Sequence, residues 1–259
     1  MKIDLYFSYR SPYSFLILPR MLELKEKYEI DINFKVVYPL AIRKPEFFSK
    51  KGLPYFLALS IDAKKKAKRL GMSFTTRLKP DPIVQNVLTG KIATNQPYIF
   101  DICHLGQMAQ IKGVGIEFAF EVSSLIFGGV ENWNSDENLS SASKKVGLDL
   151  NQLRESVDVH EEEIIGQIKQ NQVDQLNAGH HGVPLTVIGD KHFFGQDQFD
   201  KIMETLKENY FNRKAAQSPI IDDLRVLKEE IVADEADNPI DLTESMQAYS
   251  KALTRYGKD

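Results

Sequence analysis

The sequence predicts an α/β protein whose small sheet is assembled from the two ends of the chain, with a helical block inserted between them. Three observations predict it. A strand, a helix and a second strand are written into residues 1–42, strand-like alternation is lost from Arg43 to His181, and two strands and an amphipathic helix return after Gly182. Ile3-Asp4-Leu5-Tyr6-Phe7 is short and mostly apolar, and in Ile30-Asp31-Ile32-Asn33-Phe34-Lys35-Val36 the residues Ile32, Phe34 and Val36 share one face. Between these strands Ser11-Pro12 reads as an N-cap followed by proline at the first helical position, and Phe15, Leu18, Leu22 and Leu24 supply the buried side of a helix ending near Tyr28. A crossover helix of that length makes the two strands parallel and the connection right-handed.

The middle of the chain is punctuated by Pro45, Pro54, Pro80-Asp81-Pro82 and Pro97. Its apolar spacing predicts helices over Pro54 to Leu70, Phe100 to Lys112, Glu117 to Phe127, Ser135 to Val146, and Asn151 to Asn177 with a break near Val159. Then Pro184-Leu185-Thr186-Val187-Ile188, the turn Gly189-Asp190 and His192-Phe193-Phe194 form a hairpin. Gly195-Gln196-Asp197 opens a helix whose Phe199, Ile202, Met203, Leu206 and Tyr210 recur at threes and fours, a face suited to packing on a sheet. The order βαβ, helical block, ββα is that of a thioredoxin-like fold carrying a large all-helical insertion. The expected domains are 1–42 with 182–214, the insertion 43–181, and a C-terminal extension 215–259. That extension carries a net charge of −5, which leaves +2 for residues 1–214. Its apolar spacing at Ile221, Leu224 and Leu227, and again at Leu242, Met246, Tyr249 and Leu253, fits two helices, with a disordered acidic tail as the alternative.

Composition narrows the function. A chain of 259 residues that is 42% apolar and 10% aromatic buries a substantial core, which excludes fibrous and disordered classes. A formal charge of −3 gives no global attraction to nucleic acid or to a membrane surface, so a small-molecule partner is expected. Asp4 interrupts the apolar start of the chain and nowhere do 18 apolar residues run together, so the expectation is a soluble, cytoplasmic protein. The single cysteine, Cys103, excludes an intramolecular disulfide, a CxxC pair and a multi-thiolate metal site. Vicinal His180-His181 point apart with no third ligand nearby, so they suit a loop role and no metal is expected.

Three places carry chemistry. Ser11 caps a helix directly after a buried strand, where a hydroxyl and free N–H groups favour an anion; it can be a thiolate's hydrogen-bond donor or a plain structural cap. Gly182-Val183-Pro184 precedes a strand, and Pro184 either starts that strand in trans or follows a cis bond that frees the Val183 backbone to pair with an extended peptide-like ligand. Gln196-Asp197 stands at a helix start, where N–H groups bind a carboxylate and Asp197 can take an ammonium, or where Asp197 only complements the helix dipole. Arg43 to Arg69 carries nine basic residues against Glu46 and Asp62. Lys64-Lys65-Lys66 reads as a solvated helix face, whereas Lys50 and Lys51, in a loop before Pro54, are placed to meet substrate carboxylates.

These stretches resemble the 2-hydroxychromene-2-carboxylate isomerase family, relatives of the kappa-class glutathione transferases within the DsbA-like thioredoxin superfamily. The resemblance rests on residues 4–14, with Ser11-Pro12-Tyr13-Ser14 where disulfide oxidoreductases have CxxC, on Ala67 to Met72, on Ser143 to Leu148, and on His181-Gly182-Val183-Pro184 through Phe193-Phe194-Gly195-Gln196-Asp197. It spans about residues 1–210 and implies glutathione as cofactor. Ser11 would hold the glutathione thiolate, Val183 before a cis Pro184 would pair with the cysteinyl backbone, and Gln196 and Asp197 would bind the γ-glutamyl end, with Lys51 among the glutathione-binding residues. The implied reaction is isomerisation of an unsaturated 2-oxo or hemiketal carboxylate, and homodimers are implied by the way related proteins pair. The alternatives are a kappa-class-like transferase acting on an electrophile and a non-catalytic DsbA-like module that binds a thiol or peptide without CxxC.

Overall fold

The computed structural model describes residues 2–28, 30–46, 52–86 and 91–217, with the side chains of 52–54 and 210–217 excepted. Lys51 and the two helices expected within 215–259 lie outside the described residues, apart from the end of the last helix. The described elements are β1 (Lys2–Phe7), α1 (Pro12–Tyr28), β2 (Asp31–Val36), α2 (Leu40–Arg43), α3 (Gly52–Arg69), α4 (Pro97–Ile111), α5 (Gly115–Gly128), α6 (Asp136–Lys145), α7 (Leu150–Val159), α8 (Glu161–Asn177), β3 (Leu185–Ile188), β4 (Lys191–Phe194), a 3-10 turn (Gln196–Gln198) and α9 (Phe199–Gln217). The described residues divide into two compact units, one within 2–68 and 72–198 and the other made of 69–71 with 199–217. In the second, Ile202 and Leu206 are buried apolar residues among the described side chains of α9.

The sheet of the first unit has the order β2-β1-β3-β4. β1 and β2 run parallel with Leu5 opposite Phe34, β1 and β3 run antiparallel with Tyr6 opposite Leu185, and β3 and β4 form the hairpin. The predicted βαβ and ββα units are therefore both present, joined through the pairing of β1 with β3. β1 is central, and Ile3, Leu5, Tyr6 and Phe7 are all buried, which is why its sequence, Asp4 apart, is mostly apolar rather than a strict alternation. Phe7 holds Phe34 at a ring distance of 5.0 Å and meets Tyr9 edge-on at 5.0 Å. Helix α1 packs toward the insertion through Phe15, which stacks on Phe127 of α5 at 5.3 Å.

The insertion is helical as predicted, with boundaries that local chemistry explains. α4 starts at Pro97 rather than Phe100, because a proline loses nothing at the first helical positions. Ser135 and Asp149 cap α6 and α7 by accepting from Asn138 and Gln152 N–H. The expected break near Val159 falls at His160, which ends α7 and starts α8. One short bridge, Gln85 with Ile92, departs from the purely helical expectation. α4 is buried on nearly all sides, from Ile99 through Cys103 to Ala109, and at Gly106 it passes against Tyr9 so closely that a Cβ would lie 2.1 Å from the Tyr9 hydroxyl.

Candidate active site

Ser11 ends the loop that leaves β1. Its N–H donates to Ser8 C=O at 3.0 Å, its C=O accepts from Phe15 N–H at 3.2 Å, and its Oγ accepts from Ser14 N–H at 3.2 Å. The hydroxyl is therefore an N-cap, as one reading of the sequence has it. It is also a donor, directed at Val183 C=O at the long distance of 3.4 Å. A bond that long is weak, and a hydroxyl proton rotates, so it can turn to a better acceptor beside it. Pro12 has no N–H and Ser14 and Phe15 are engaged, which leaves the Tyr13 N–H as the first-turn donor without a partner among the described residues. The helix start thus offers a rotatable hydroxyl and one N–H where the helix dipole is positive.

Val183 stands opposite Ser11, and the Val183–Pro184 peptide bond is cis. Its carbonyl is met by the Ser11 hydroxyl rather than left unpaired as a cis bond alone had suggested, while its N–H has no partner among the described residues. The segment before it is tightly held. Arg43 of α2 donates to Tyr38 C=O at 2.7 Å, to Gln175 Oε1 at 3.2 Å and to His181 C=O at 2.9 Å, and Gln175 Nε2 donates to Gly182 C=O at 2.7 Å. Burial lowers the Arg43 guanidinium to about 10, where it stays charged at neutral pH. The His180 and His181 rings do not point apart as expected but stack at 5.3 Å, and His180 serves the loop by accepting from Gly182 N–H at its Nδ1 at 2.9 Å. A Cβ at Gly182 would lie 2.5 Å from the outer ring atoms of the half-exposed Phe194, so a side chain there would push that ring aside. After Val183, Pro184 C=O accepts from Gly195 N–H at 2.9 Å and ties the loop to the 3-10 turn.

Gln196 and Asp197 occupy that turn rather than the first turn of the α-helix proper. Gln196 is buried, and Arg20 of α1 donates to its side-chain oxygen and, at 3.0 Å, to its carbonyl; the Gln196 amide in turn donates to Asp197 Oδ1. Asp197 is 57% exposed at its side chain, and Lys66 of α3 lies 2.5 Å from its Oδ2. Lys66 also pairs with Asp62 at 2.9 Å, and the Tyr13 hydroxyl donates to the same Asp62 oxygen at 2.6 Å. The Tyr13 hydrogen bond, with Lys66 beside it, holds the Asp62 carboxyl below its usual value. Partial burial pulls the Lys66 ammonium down, but its hydrogen bonds to Asp197 and Asp62 outweigh that and raise it.

α1 therefore connects both halves of the site, with Ser11 and Tyr13 in its first turn and Arg20 further along. The structure brings Ser11 to Val183 and Asp197 to Gln196. Lys51 cannot be placed, lying outside the described residues. Lys66, expected on a solvated face, instead points at Asp197, a correction that arises because α3 runs past the 3-10 turn. Tyr13, Asp62, Arg20 and Arg43 were also not singled out. Asp62 and Lys66 at a spacing of four were the one available signal. Cys103 is fully buried and burial pushes its thiol well up, so it is no nucleophile. Among the described residues no group of three His, Cys, Asp or Glu could hold a metal, and no helix is long and apolar enough to cross a membrane. A cavity of about 340 Å³ lies elsewhere, lined by Asn33 and Lys35 of β2, Gln107 and Gln110 of α4 and Gln170 of α8, and includes none of the site residues.

Comparison of the sequence with curated proteins gives no match. Among solved structures the chain is similar to 2-hydroxychromene-2-carboxylate isomerase, at 19% identity and a TM-score of 0.57 over 84% of this chain and 100% of that one. It is similar to a probable DsbA oxidoreductase from Streptomyces coelicolor, at 15% identity and a TM-score of 0.58 over 81% of this chain and 90% of the other. The cytosolic disulfide reductase DsbM from Pseudomonas aeruginosa, in a structure with GSH, matches at 11% identity and a TM-score of 0.50 over 80% of this chain and 100% of that one. Identities this low speak for the fold. The family model of the DSBA-like thioredoxin domain matches residues 2–207, most of the chain, and the protein belongs to that family.

Proposed function

We propose that the protein is a glutathione-dependent isomerase of an unsaturated 2-oxo or hemiketal carboxylate. The observation that carries this reading is that serines, Ser11 and Ser14, stand in the first turn of α1 with the Ser11 hydroxyl facing Val183, while the chain's one sulfhydryl, Cys103, is sealed in α4. A thiol reaction at this position needs its sulfur from a ligand. The donor set suits glutathione: a rotatable hydroxyl and the Tyr13 N–H for a thiolate, the Val183 N–H for a peptide carbonyl, and the exposed Asp197 carboxylate for an ammonium. Glutathione supplies the thiolate that adds to the substrate and leaves again, so a double bond is isomerised with no net consumption of thiol.

The chain's own residues bind and orient. Ser11 donates to the thiolate once its proton turns from Val183 C=O, and the helix start stabilises the negative charge. Arg43 and Gln175 hold the Val183 segment in register for an extended ligand. A reducing cytoplasm, where the tripeptide persists as a thiol, is the compartment this reading requires. Calorimetric titration with glutathione, followed by a screen of unsaturated oxo acids, tests it. Binding together with isomer interconversion at constant free thiol supports the isomerase, and thiol consumption points to the kappa-class-like transferase. No binding at millimolar glutathione leaves the non-catalytic peptide-binding module, a reading favoured by the engagement of Ser11 as a helix cap.

A further inference from the structure

The head-group end of the site holds a cation that glutathione binding through Asp197 alone does not call for. Lys66 is 22% exposed and bridges Asp62 and Asp197 at 2.9 and 2.5 Å, with its ammonium 5.1 Å over the Tyr13 ring. It is fixed from behind, because the Tyr13 hydroxyl anchors Asp62, whereas Asp197 opens to solvent. An ammonium has three protons, and the two carboxylates take two of them. Each Asp197 oxygen has two lone pairs, of which Lys66 and the Gln196 amide use one each. A donor cation and an acceptor anion, both with capacity left, therefore stand one hydrogen bond apart.

Resting on the glutathione reading above, we propose that Lys66 is a specificity-determining residue: it takes the α-carboxylate of the γ-glutamyl end while Asp197 takes the ammonium on the same carbon. The pair is then complementary to a zwitterion and to neither charge alone. A head group bearing only a carboxylate gains at Lys66 but faces Asp62 and Asp197. One bearing only an ammonium gains at Asp197 but faces Lys66. Charge opposition of this kind is how a site discriminates against near neighbours of its ligand.

Calorimetry on the full chain with three thiol probes tests this: glutathione, glutaryl-cysteinylglycine, which lacks the ammonium, and 4-aminobutanoyl-cysteinylglycine, which lacks the α-carboxylate. Wild type is expected to prefer glutathione to both. Lys66→Met should weaken glutathione and the glutaryl probe by about ten- to a hundredfold, the size of one charge-assisted hydrogen bond, and leave the 4-aminobutanoyl probe unchanged or tighter. Lys66→Arg should retain most of the affinity, and Lys66→Gln replaces the methionine variant if that one fails to fold. Equal weakening of all three probes, no change, or tighter glutathione binding overturns the assignment of Lys66 while the glutathione reading stands. Wild type that binds none of the three overturns the glutathione reading itself and this inference with it.

Discussion

Gly106→Ala probes the contact that seats the loop before Ser11. The added Cβ would lie 2.1 Å from the Tyr9 hydroxyl oxygen and 2.7 Å from two of its ring carbons, where ordinary contact begins near 3.4 Å. Tyr9 is 0% exposed and set edge-on against Phe7, so the ring has nowhere to go without moving β1 or the turn to Ser11. Overpacking of a dense core costs about 1–3 kcal/mol, and three simultaneous short contacts place this case at the top of that range. Alanine in place of glycine within a helix returns about 1 kcal/mol, so the net loss should be about 2 kcal/mol. The Tyr9 hydroxyl is buried without a partner among the described residues, so Tyr9→Phe should be neutral or stabilising by itself. It also removes the shortest contact, so Gly106→Ala should cost about 1 kcal/mol less in that background. Urea unfolding of the four proteins, with the slope checked for constancy, measures the coupling. A neutral Gly106→Ala, or strict additivity, would refute the packing argument.

Arg43→Lys leaves one ammonium where a fork reached Tyr38 C=O, Gln175 and His181 C=O, so a loss of about 2 kcal/mol is expected, with faster amide exchange over 181–183; unchanged exchange would show that Gln175 holds the loop alone. Burial lowers the His104 pKa, against Glu161 and Asp101 that raise it, and Tyr38 OH lies 2.9 Å from its Nε2. The unfolded chain then binds a proton near pH 6.5 that the folded one declines, so stability falls as pH drops below about 6.5 toward the depressed folded value. A His104→Gln variant should show a shallower fall in urea midpoint between pH 7 and 5, and an equal fall would move the effect to other groups. Native protein should resist alkylation by iodoacetamide and react at Cys103 only in denaturant, since that thiol is buried with its pKa pushed up; native labelling would contradict the burial on which the ligand-thiol argument stands.

What was legible in the sequence is what local chemistry writes. Ser11-Pro12 announces α1, alternation announces β2, Gly189-Asp190 marks the hairpin turn and Ser135 sets a helix start, whereas apolar spacing put the starts of α4 and of the α7–α8 stretch at Phe100 and Asn151, inside the true starts set by Pro97 and the Asp149 cap. The relation of Ser11 to Val183 was legible only through the resemblance, because 172 residues separate them. Lys66 with Asp197, 131 residues apart, and Arg43 with His181, 138 apart, carry no local signal at all, since each pairing exists only once the insertion has folded beside the sheet. Lys66 in a run of three lysines reads as solvated surface until its partner is in place. Gly106 was readable in principle, as an isolated glycine inside an apolar helix pattern that marks a close approach.

The central claim is that Ser11 stabilises the thiolate of a bound ligand, and the direct measurement is the pKa of the glutathione thiol bound to wild type and to Ser11→Ala, followed by the thiolate absorption band across pH. The expected result is a bound pKa well below the value of about 8.5 for an ordinary thiol, rising toward it in Ser11→Ala, with affinity reduced by less than the ionisation is. A bound thiol with an ordinary pKa, or a lowered pKa that Ser11→Ala leaves in place, would contradict it and return Ser11 to the role of a helix cap.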